Sequence, residues 1–343
     1  MPRMVTLFGM NALRNLCLAA ALASIFAARP SAAELPTPIQ EAAKKEGEIV
    51  IYGGIPGQAM KPMREVFEKR YGVRITNWRG DSEEVVNRVA AESKTGNSRF
   101  DVVIGSDIVM TSLDRRGVFE PFNPPAARNF PKQLVQPEHR MTPWRVLAFG
   151  INFNTQRLSP EQTPKRWEDL LDPKWKRKFL MPNPATHTAT LHFVLSLEKI
   201  LGPKWLDVVQ GWAKQRPRLT RDPGEEVPTL TSGDVPLAIG YIKDKYQFGG
   251  PIDYVRMDKY LVAVTSIAVS RRAPHPNAAR LFTDFFLGPE PQQMIGNLGD
   301  DVLNPDVEDR FRSDVTDDQL VPMKIPSQSE RDAWAKKLHA MFK

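Results

Sequence analysis

The stretch EIVIY (Glu48–Tyr52) decides the first step of the fold, because it is a short, nearly continuous apolar run that leads into the loop GGIPG (Gly53–Gly57). Such a run is typical of a strand buried on both faces of a parallel sheet. Apolar residues at helical spacing follow, and Gly72 predicts the end of that helix. The next residues, Val73–Thr76, predict a second strand.

The following residues repeat this pattern. An acidic helix start, Asp81–Glu84, leads into apolar residues at helical spacing, and Gly96-Asn97 predicts the stop. The run Phe100–Ile104 predicts a third buried strand, and Gly105–Asp107 follow it. The order strand, helix, strand, helix, strand predicts a parallel sheet with right-handed crossovers, and hence an α/β fold.

Beyond residue 140 the pattern is less regular. Long apolar runs predict further strands, and amphipathic patterns predict three more helices, the last with a Ser-x-x-Asp N-cap. The strands are expected at Arg145–Asn152, Leu237–Tyr241 and Leu261–Ser270, and the helices at Thr186–Leu201, Asn277–Leu287 and Ser329–Phe342.

Residues 1–33 predict a secretory signal peptide that is cleaved. Arg3 and Arg14 precede the apolar run Leu16–Ala28, and Ser31–Ala33 supplies the small residues that a signal peptidase requires. A run of about 13 residues is too short to cross roughly 30 Å of hydrocarbon as a helix. We therefore expect a periplasmic protein; an uncleaved N-terminal anchor is the alternative.

Composition and charge exclude several classes of protein. A chain of 343 residues that is 41% hydrophobic and 25% charged suits two soluble domains. The single cysteine, Cys17, excludes an internal disulfide framework. Removing residues 1–33 takes away three arginines and no acid, so the net charge falls from +7 to +4. Because this small excess is spread along the chain, we expect no nucleic-acid partner; we also expect a monomer.

Three motifs occur in order along the chain: WEDLLDPKWK (Trp167–Lys176), GDVPLAI (Gly233–Ile239) and HPNAARLF (His275–Phe282). On these motifs the sequence resembles the periplasmic substrate-binding proteins of ATP-binding-cassette importers, in the branch of ferric-ion, polyamine, thiamine and phosphonate binders. With the N-terminal strand–helix pattern, the resemblance covers most of residues 45–295.

The resemblance implies a two-lobed periplasmic-binding-protein fold of type II. Each lobe is then a mostly parallel sheet flanked by helices, and two crossover strands form the hinge. On this reading lobe 1 comprises residues 34–147 plus 262–288, and lobe 2 comprises residues 148–261 plus 289–343. The implied function is capture of a small solute by closure of the lobes, as in a Venus flytrap, and its delivery to an inner-membrane permease.

Candidate ligand-binding residues follow the strands of the predicted sheets. Ligands of such sheets bind outside the carboxyl ends of the strands, where helix N-termini favour anions. Tyr241 is a candidate because the family usually places ligand-contacting aromatics there. Tight turns and helix caps are the alternative for the others. The candidates are Gly53, Gly54, Ser106 and Asp107 in lobe 1, and Thr186, His187, Thr188 and Tyr241 in lobe 2.

The ligand expected from these residues is a small organic solute or an oxyanion that carries phosphate, phosphonate or carboxylate. Ferric members of the family hold iron with two adjacent tyrosines, whereas Ile242 follows Tyr241 here and the loop Gly53–Gly57 has no histidine. We therefore expect no metal ligands and no cofactor. A ferric-ion-binding protein of the same family is the alternative.

A secreted hydrolase is the second alternative. Gly80–Ser82 is similar to the nucleophile block of some secreted esterases, but that chemistry needs an aspartate–histidine pair. Neither His275 nor His339 sits in an Asp-x-x-His context. The sequence also has no nucleophile elbow, phosphate loop or zinc-protease helix, so we expect no enzyme and no catalytic residue.

Overall fold

The computed structural model describes residues 35–80, 82–308 and 314–343, so the predicted signal peptide and Asp81 lie outside the described residues. No helix in these ranges is long and apolar enough to cross a membrane. The helices are α1 (Thr37–Glu46), α2 (Gly57–Tyr71), α3 (Ser82–Thr95), α4 (Asp107–Asp114), α5 (Thr188–Ser196), α6 (Glu198–Leu201), α7 (Trp205–Lys214), α8 (Glu226–Ser232), α9 (Asp244–Gln247), α10 (Pro276–Leu287), α11 (Pro289–Gly296) and α12 (Gln328–Met341).

The strands form one continuous sheet. They are β1 (Glu48–Gly53), β2 (Arg74–Trp78), β3 (Val102–Ser106), β4 (Thr142–Asn154), β5 (Phe179–Pro182), β6 (Arg218–Thr220), β7 (Leu237–Tyr241), β8 (Ile252–Tyr254), β9 (Tyr260–Val269), β10 (Asp301–Val302) and β11 (Leu320–Pro322). The main path runs in the order β2-β1-β3-β9-β4-β7-β5-β6, with β8 and β10 paired to β4 and β11 paired to β9.

Strands β2, β1 and β3 form a parallel group, which we call the first section. Ile51 lies opposite both Asn77 of β2 and Val102 of β3, so β1 is the central strand of the group. Ile51 and Val102 have no exposed surface, as expected for strands covered by helices. This arrangement confirms the strand–helix–strand–helix–strand unit that the sequence predicts.

Strands β7, β5 and β6 form a second parallel group, the second section. The two sections are joined by the long strands β4 and β9. Strand β4 is antiparallel to β9 over residues 142–148 and antiparallel to β7 over residues 149–153, while β9 also pairs with β3. Two strands therefore run between the sections, and a site between the sections must lie beside them.

An aromatic core surrounds β4 in the second section. Phe149 stacks on Phe193 with ring centroids 4.6 Å apart, and Trp167 packs against Phe193 and Trp212. The indole N–H of Trp212 donates to the Trp167 carbonyl at 3.1 Å, so this side chain is both buried and hydrogen-bonded. Trp167 is thus a packing residue.

Two details of the helices differ from the prediction. The helix expected over Thr186–Leu201 is divided into α5 and α6 at Leu197. The C-terminal helix α12 begins earlier than expected: the Ser327 hydroxyl accepts from the Glu330 N–H, and the Glu330 carboxylate accepts from the Ser327 N–H at 2.7 Å. This reciprocal capping satisfies two N–H groups at once, which a cap at Ser329 and Asp332 does not do here.

The lobe boundaries stay a prediction. Helix α11 lies against α2 and α10, beside the first section, whereas α12 lies against α5 of the second section. The C-terminal residues therefore contact both sections.

Candidate functional site

Gly53 and Gly54 end β1 at the carboxyl edge of the first section. Gly53 has a φ of 113°, and a Cβ there would lie 1.9 Å from the Ile104 carbonyl oxygen of β3. Close strand packing therefore requires a glycine at position 53, with or without a ligand. A Cβ on Gly54 would meet nothing within 4 Å, although its N–H donates to the same oxygen at 3.3 Å.

Ser106 and Asp107 lie at the same edge, at the start of α4. The Ser106 side chain makes no capping hydrogen bond. The Asp107 carboxylate accepts from the Ile108 N–H at 2.8 Å, and the Val264 N–H of β9 also donates to it. Burial raises the pKa of Asp107 to about 6, against these two N–H groups, which lower it. Asp107 thus fixes α4 to a strand that joins the two sections.

Thr186, His187 and Thr188 lie at the carboxyl edge of the second section, before and at the start of α5. His187 is the N-cap: its Nδ1 accepts from the Thr190 N–H at 3.3 Å. Burial lowers the pKa of His187, while the nearby Asp222 carboxylate raises it. Helix capping accounts for His187, and the exposed Thr186 and Thr188 remain the candidates for ligand contact in this group.

Tyr241 ends β7 and is partly buried. Its ring packs edge-on against Phe149 at 4.7 Å, and its carbonyl accepts from the Asn152 amide at 3.0 Å. Burial raises the pKa of Tyr241, and so do three carboxyl groups, one of which is Asp107 of α4. Asp107 of the first section therefore lies near enough to Tyr241 of the second section for its charge to affect the pKa of the Tyr241 hydroxyl.

A pair of cations beside Tyr241 was not predicted from the sequence. Arg145 of β4 and Lys243, two residues after β7, hold opposite oxygens of the Asp300 carboxylate at 2.9 and 3.0 Å. The two cationic side chains are only 20% and 15% exposed, so this contact is partly shielded from water. Within the described ranges neither cation has a second carboxylate at ion-pair distance, so the three groups alone sum to one positive charge, with the carboxyl groups of Asp107 and Asp244 nearby.

The sequence contains one sign of this cluster. Arg145 interrupts the apolar stretch TPWRVLAFGINFN that forms β4. Its guanidinium lies over the Trp144 ring at 4.7 Å and donates to the Thr265 hydroxyl at 3.3 Å. A charged residue in a buried strand is unusual unless it is paired or functional. The pairing with Asp300 depends on a loop about 150 residues away, which no local pattern reveals.

A cleft of about 760 Å³ opens between α3 and α4 on one side and the start of α12 on the other, and Arg145, Lys243 and Asp300 are not among the residues that line it. Its wall on α4 begins at Ile108, next to Asp107, and continues through Thr111, Ser112 and Arg115. Arg331 of α12 faces them. This volume is in the range of small-molecule binding sites, about 300–1,000 Å³.

Two tyrosine hydroxyls meet elsewhere in the second section. Tyr246 and Tyr254 have hydroxyl oxygens 3.3 Å apart, and both donate to the Asp314 carboxylate. Lys245 and Arg256 contact the same carboxylate oxygen at 3.5 and 3.1 Å. Two phenols and a carboxylate are hard ligands of the kind that Fe³⁺ prefers, but here Lys245 and Arg256 pair with both Asp314 and Asp253, so two cations already compensate two carboxylates.

The residues of the hydrolase alternative lie apart. His275 pairs with Asp101, with Nδ1 and Oδ2 3.0 Å apart, at the amino end of β3. Ser82 instead follows the carboxyl end of β2, so it lies at the opposite edge of the parallel group. In the described part of the chain, the His275–Asp101 pair and Ser82 therefore do not form a catalytic triad.

Residues 97–319 match the model of the bacterial extracellular solute-binding protein family. The chain belongs to this family. Two curated relatives are each 26% identical: a probable ABC transporter periplasmic-binding protein, y4fP, of Sinorhizobium fredii over 130 residues, and an Fe(3+)-binding periplasmic protein of Serratia marcescens over 165 residues. The matches cover 38% and 46% of this chain, and 36% and 47% of the relatives, so the chain spans less than half the length of each.

Solved structures agree on the fold. Iron-bound HitA from Pseudomonas aeruginosa has a TM-score of 0.65 at 17% identity, covering 86% of this chain and 98% of HitA. AfuA from Actinobacillus pleuropneumoniae, with fructose-6-phosphate bound, has 0.63 at 20%, covering 86% and 96%. A putative extracellular solute-binding protein from Bordetella parapertussis has 0.72 at 15%, covering 87% and 98%. These neighbours confirm the two-lobed fold that the sequence predicts.

Proposed function

We propose that this family member is a periplasmic protein that captures a small anionic solute between its two lobes and delivers it to an ATP-binding-cassette importer. The anion is an oxyanion or an organic molecule that carries phosphate, phosphonate or carboxylate. The protein acts as a monomer and transforms no substrate. The predicted signal peptide and the importer named for the Sinorhizobium relative support the location and the permease partner.

The observation that carries the proposal is the Arg145–Asp300–Lys243 cluster. Two cations share one carboxylate at the junction of the sections, in partly buried surroundings. An anion that enters here gains a charge-assisted hydrogen bond from a guanidinium or an ammonium group, and these bonds are stronger than neutral ones. Closure of the lobes removes water and strengthens each of these contacts.

Uncapped groups on the first section add to this preference for anions. Helix α2 follows Pro56 without a side-chain cap and has no acidic residue in its first turn. The Arg79 guanidinium lies 3.3 Å from the position of a Cβ on Gly57, at the start of that helix. Ser106 leaves its hydroxyl uncommitted to the cap of α4. Helix starts of this kind favour negative charge.

Native mass spectrometry of the protein purified from its own periplasm tests the proposal. We expect an added mass that corresponds to one small anion, and a more compact scattering profile when that anion is present. Enzymatic turnover of the retained compound, without any change in the scattering profile, would contradict capture without chemistry.

Ferric iron is the second candidate ligand, because two relatives are described as iron-binding and because the hydroxyls of Tyr246 and Tyr254 meet at Asp314. Titration with ferric citrate distinguishes it. Iron bound by phenolate gives a visible charge-transfer band, which Tyr254→Phe would weaken. A band of full strength in Tyr254→Phe excludes this pair as the iron site.

A further inference from the structure

Two buried oxygen atoms beside Tyr241 lack a hydrogen-bond partner in the described part of the chain. One is Oε2 of Glu226, the first residue of α8, and the other is Oδ1 of Asn152 on β4. Both residues are only 1% exposed. Buried polar atoms are almost always hydrogen-bonded, so two unpaired acceptors in one place need an explanation.

The two side chains meet over Gly240 of β7. A Cβ on Gly240 would lie 2.4 Å from Glu226 Oε2 and 3.5 Å from Asn152 Nδ2. The amide orientation of Asn152 is fixed by its other contact, since Nδ2 donates to the Tyr241 carbonyl at 3.0 Å. Oδ1 of Asn152 is therefore left as an acceptor on a side chain that shares the space over Gly240 with Glu226, and a proton carried by Glu226 Oε2 can satisfy both atoms.

The charges around Glu226 favour the protonated form of its carboxyl group. The charged groups that act on Glu226 are Asp222, before α8, and Asp244, the first residue of α9, and both are carboxylates. From β6 the Thr220 hydroxyl contacts the other oxygen, Oε1, at 3.4 Å. Asn152 on β4 and Gly240 on β7 bring no charge. Burial raises the pKa of Glu226 well above its usual value, and Asp244 raises it further.

We propose that Glu226 is a neutral carboxylic acid that donates its proton to Asn152 Oδ1, and that this bond positions Tyr241 for the ligand. Asn152 makes both hydrogen bonds. Its Oδ1 accepts from Glu226, and its Nδ2 donates to the carbonyl of Tyr241, the last residue of β7. Glu226 is thus a positioning residue, and ligand capture is linked to its protonation. The effect on the ligand rests on the function proposed above; the Glu226–Asn152 bond does not.

The sign of the pH dependence follows from the raised pKa. The folded state holds the proton more tightly than the unfolded state, so the stabilisation is present at low pH and is lost as pH rises through the folded-state pKa of Glu226. Ionisation then places a third carboxylate beside Asp222 and Asp244 and breaks the bond to Asn152.

The test compares Glu226→Gln with the wild type, without ligand, between pH 7.5 and 9.5. Glutamine keeps a donor for Asn152 but has no proton to lose. We expect the unfolding equilibrium constant of the wild type to rise by up to tenfold per pH unit for as long as folded Glu226 keeps its proton, and that of Glu226→Gln to stay level. The infrared spectrum at pH 7.5 should show a protonated-carboxyl stretch that Glu226→Gln lacks.

The bond itself is tested by a double-mutant cycle of Glu226→Ala and Asn152→Ala at pH 7, in which we expect a coupling of about tenfold. Equal pH profiles in the wild type and Glu226→Gln, a spectrum without the protonated stretch, or additive single changes would each overturn the proposal. Once a ligand has been identified, its affinity for the wild type should fall above pH 8, as the stability of the wild type does. Its affinity for Glu226→Gln should stay level. Absence of any ligand, with the stability results as expected, would overturn only the proposed function.

Discussion

The two carboxyl edges that meet at Tyr241 and Asp107 are built from opposite chemistry. In the first section the edge is formed largely by backbone groups. Gly53 and Gly54 bring β1 close to β3, and α2 begins without a side-chain cap. In the second section the edge is formed largely by side chains, and Glu226 and Asp244 are buried behind Tyr241. The first edge needs a particular backbone geometry, whereas the second edge depends on which of its acids are ionised. Substitution of Gly53 should therefore affect folding at every pH, whereas the effect of substituting Glu226 or Asp244 should depend on pH.

The largest effect is expected from two adjacent glycines that differ in their surroundings and in their backbone conformation. Gly53→Ala forces a Cβ against the Ile104 carbonyl at a positive φ, so we expect a loss of more than about 3 kcal/mol in the free energy of unfolding. Gly54→Ala meets open space and should change it by less than about 1 kcal/mol. Urea denaturation of both variants measures the difference, and equal losses would contradict the assignment of Gly53 to strand packing.

The next effect belongs to Asp244 of the second edge. Burial raises its pKa to about 7, against the opposing effect of Lys243, so the wild type loses stability as pH rises from about 4 to 7. Asp244→Asn has no charge to bury and should be more stable than the wild type at pH 8, by something on the order of 3 kcal/mol. Thermal unfolding at pH 5 and pH 8 measures it.

Exposed Asp234 supplies the matched control for that experiment. Asp234→Asn should leave the pH profile of unfolding unchanged. A gain at pH 8 that appears in both variants would point to net charge rather than to the burial of Asp244.

A smaller effect concerns the cation pair that joins the sections. Arg145→Gln leaves Asp300 to neutralise Lys243, so the positive excess disappears and the affinity for an anion should fall about tenfold to a hundredfold. Exposed Arg74, which pairs with Glu48, provides the control Arg74→Gln. Calorimetric titration at two salt concentrations measures both variants, and equal affinities in all three proteins would place the anion elsewhere.

The smallest effect separates capping from binding in the second section. His187→Ala removes the acceptor of the Thr190 N–H and should cost about 1 kcal/mol of stability. Thr186→Ala removes an exposed side chain and should leave stability nearly unchanged. If His187→Ala also abolishes ligand binding at a temperature where it is fully folded, then His187 contacts the ligand as well.

The sequence predicted what depends on neighbours along the chain. The apolar run of β1 and the helix stops at Gly72 and Gly96 specify the first section, because burial and backbone geometry act locally there. The motif residues near Trp167 and Gly233 indicated the family. The cap at His187 was among the alternatives, because a polar residue before a helix is a local signal.

The charge arrangement at the junction was beyond prediction, because its members are distant in sequence. Arg145, Lys243 and Asp300 converge only once β4, β7 and the loop before β10 are in place. Glu226 is one of two adjacent acids, Glu225 and Glu226. In the structure it is buried, since α8 turns its first residue under Gly240. Adjacent carboxylates give no local sign of which one faces inward.

Isothermal titration calorimetry with phosphate-, phosphonate- and carboxylate-bearing solutes, and with polyamines in parallel, tests the central claim most directly. We expect at least one anion to bind with a stoichiometry of one, more weakly at high salt and at least about tenfold more weakly to Arg145→Gln. Binding of a polyamine with no response to any anion would contradict it.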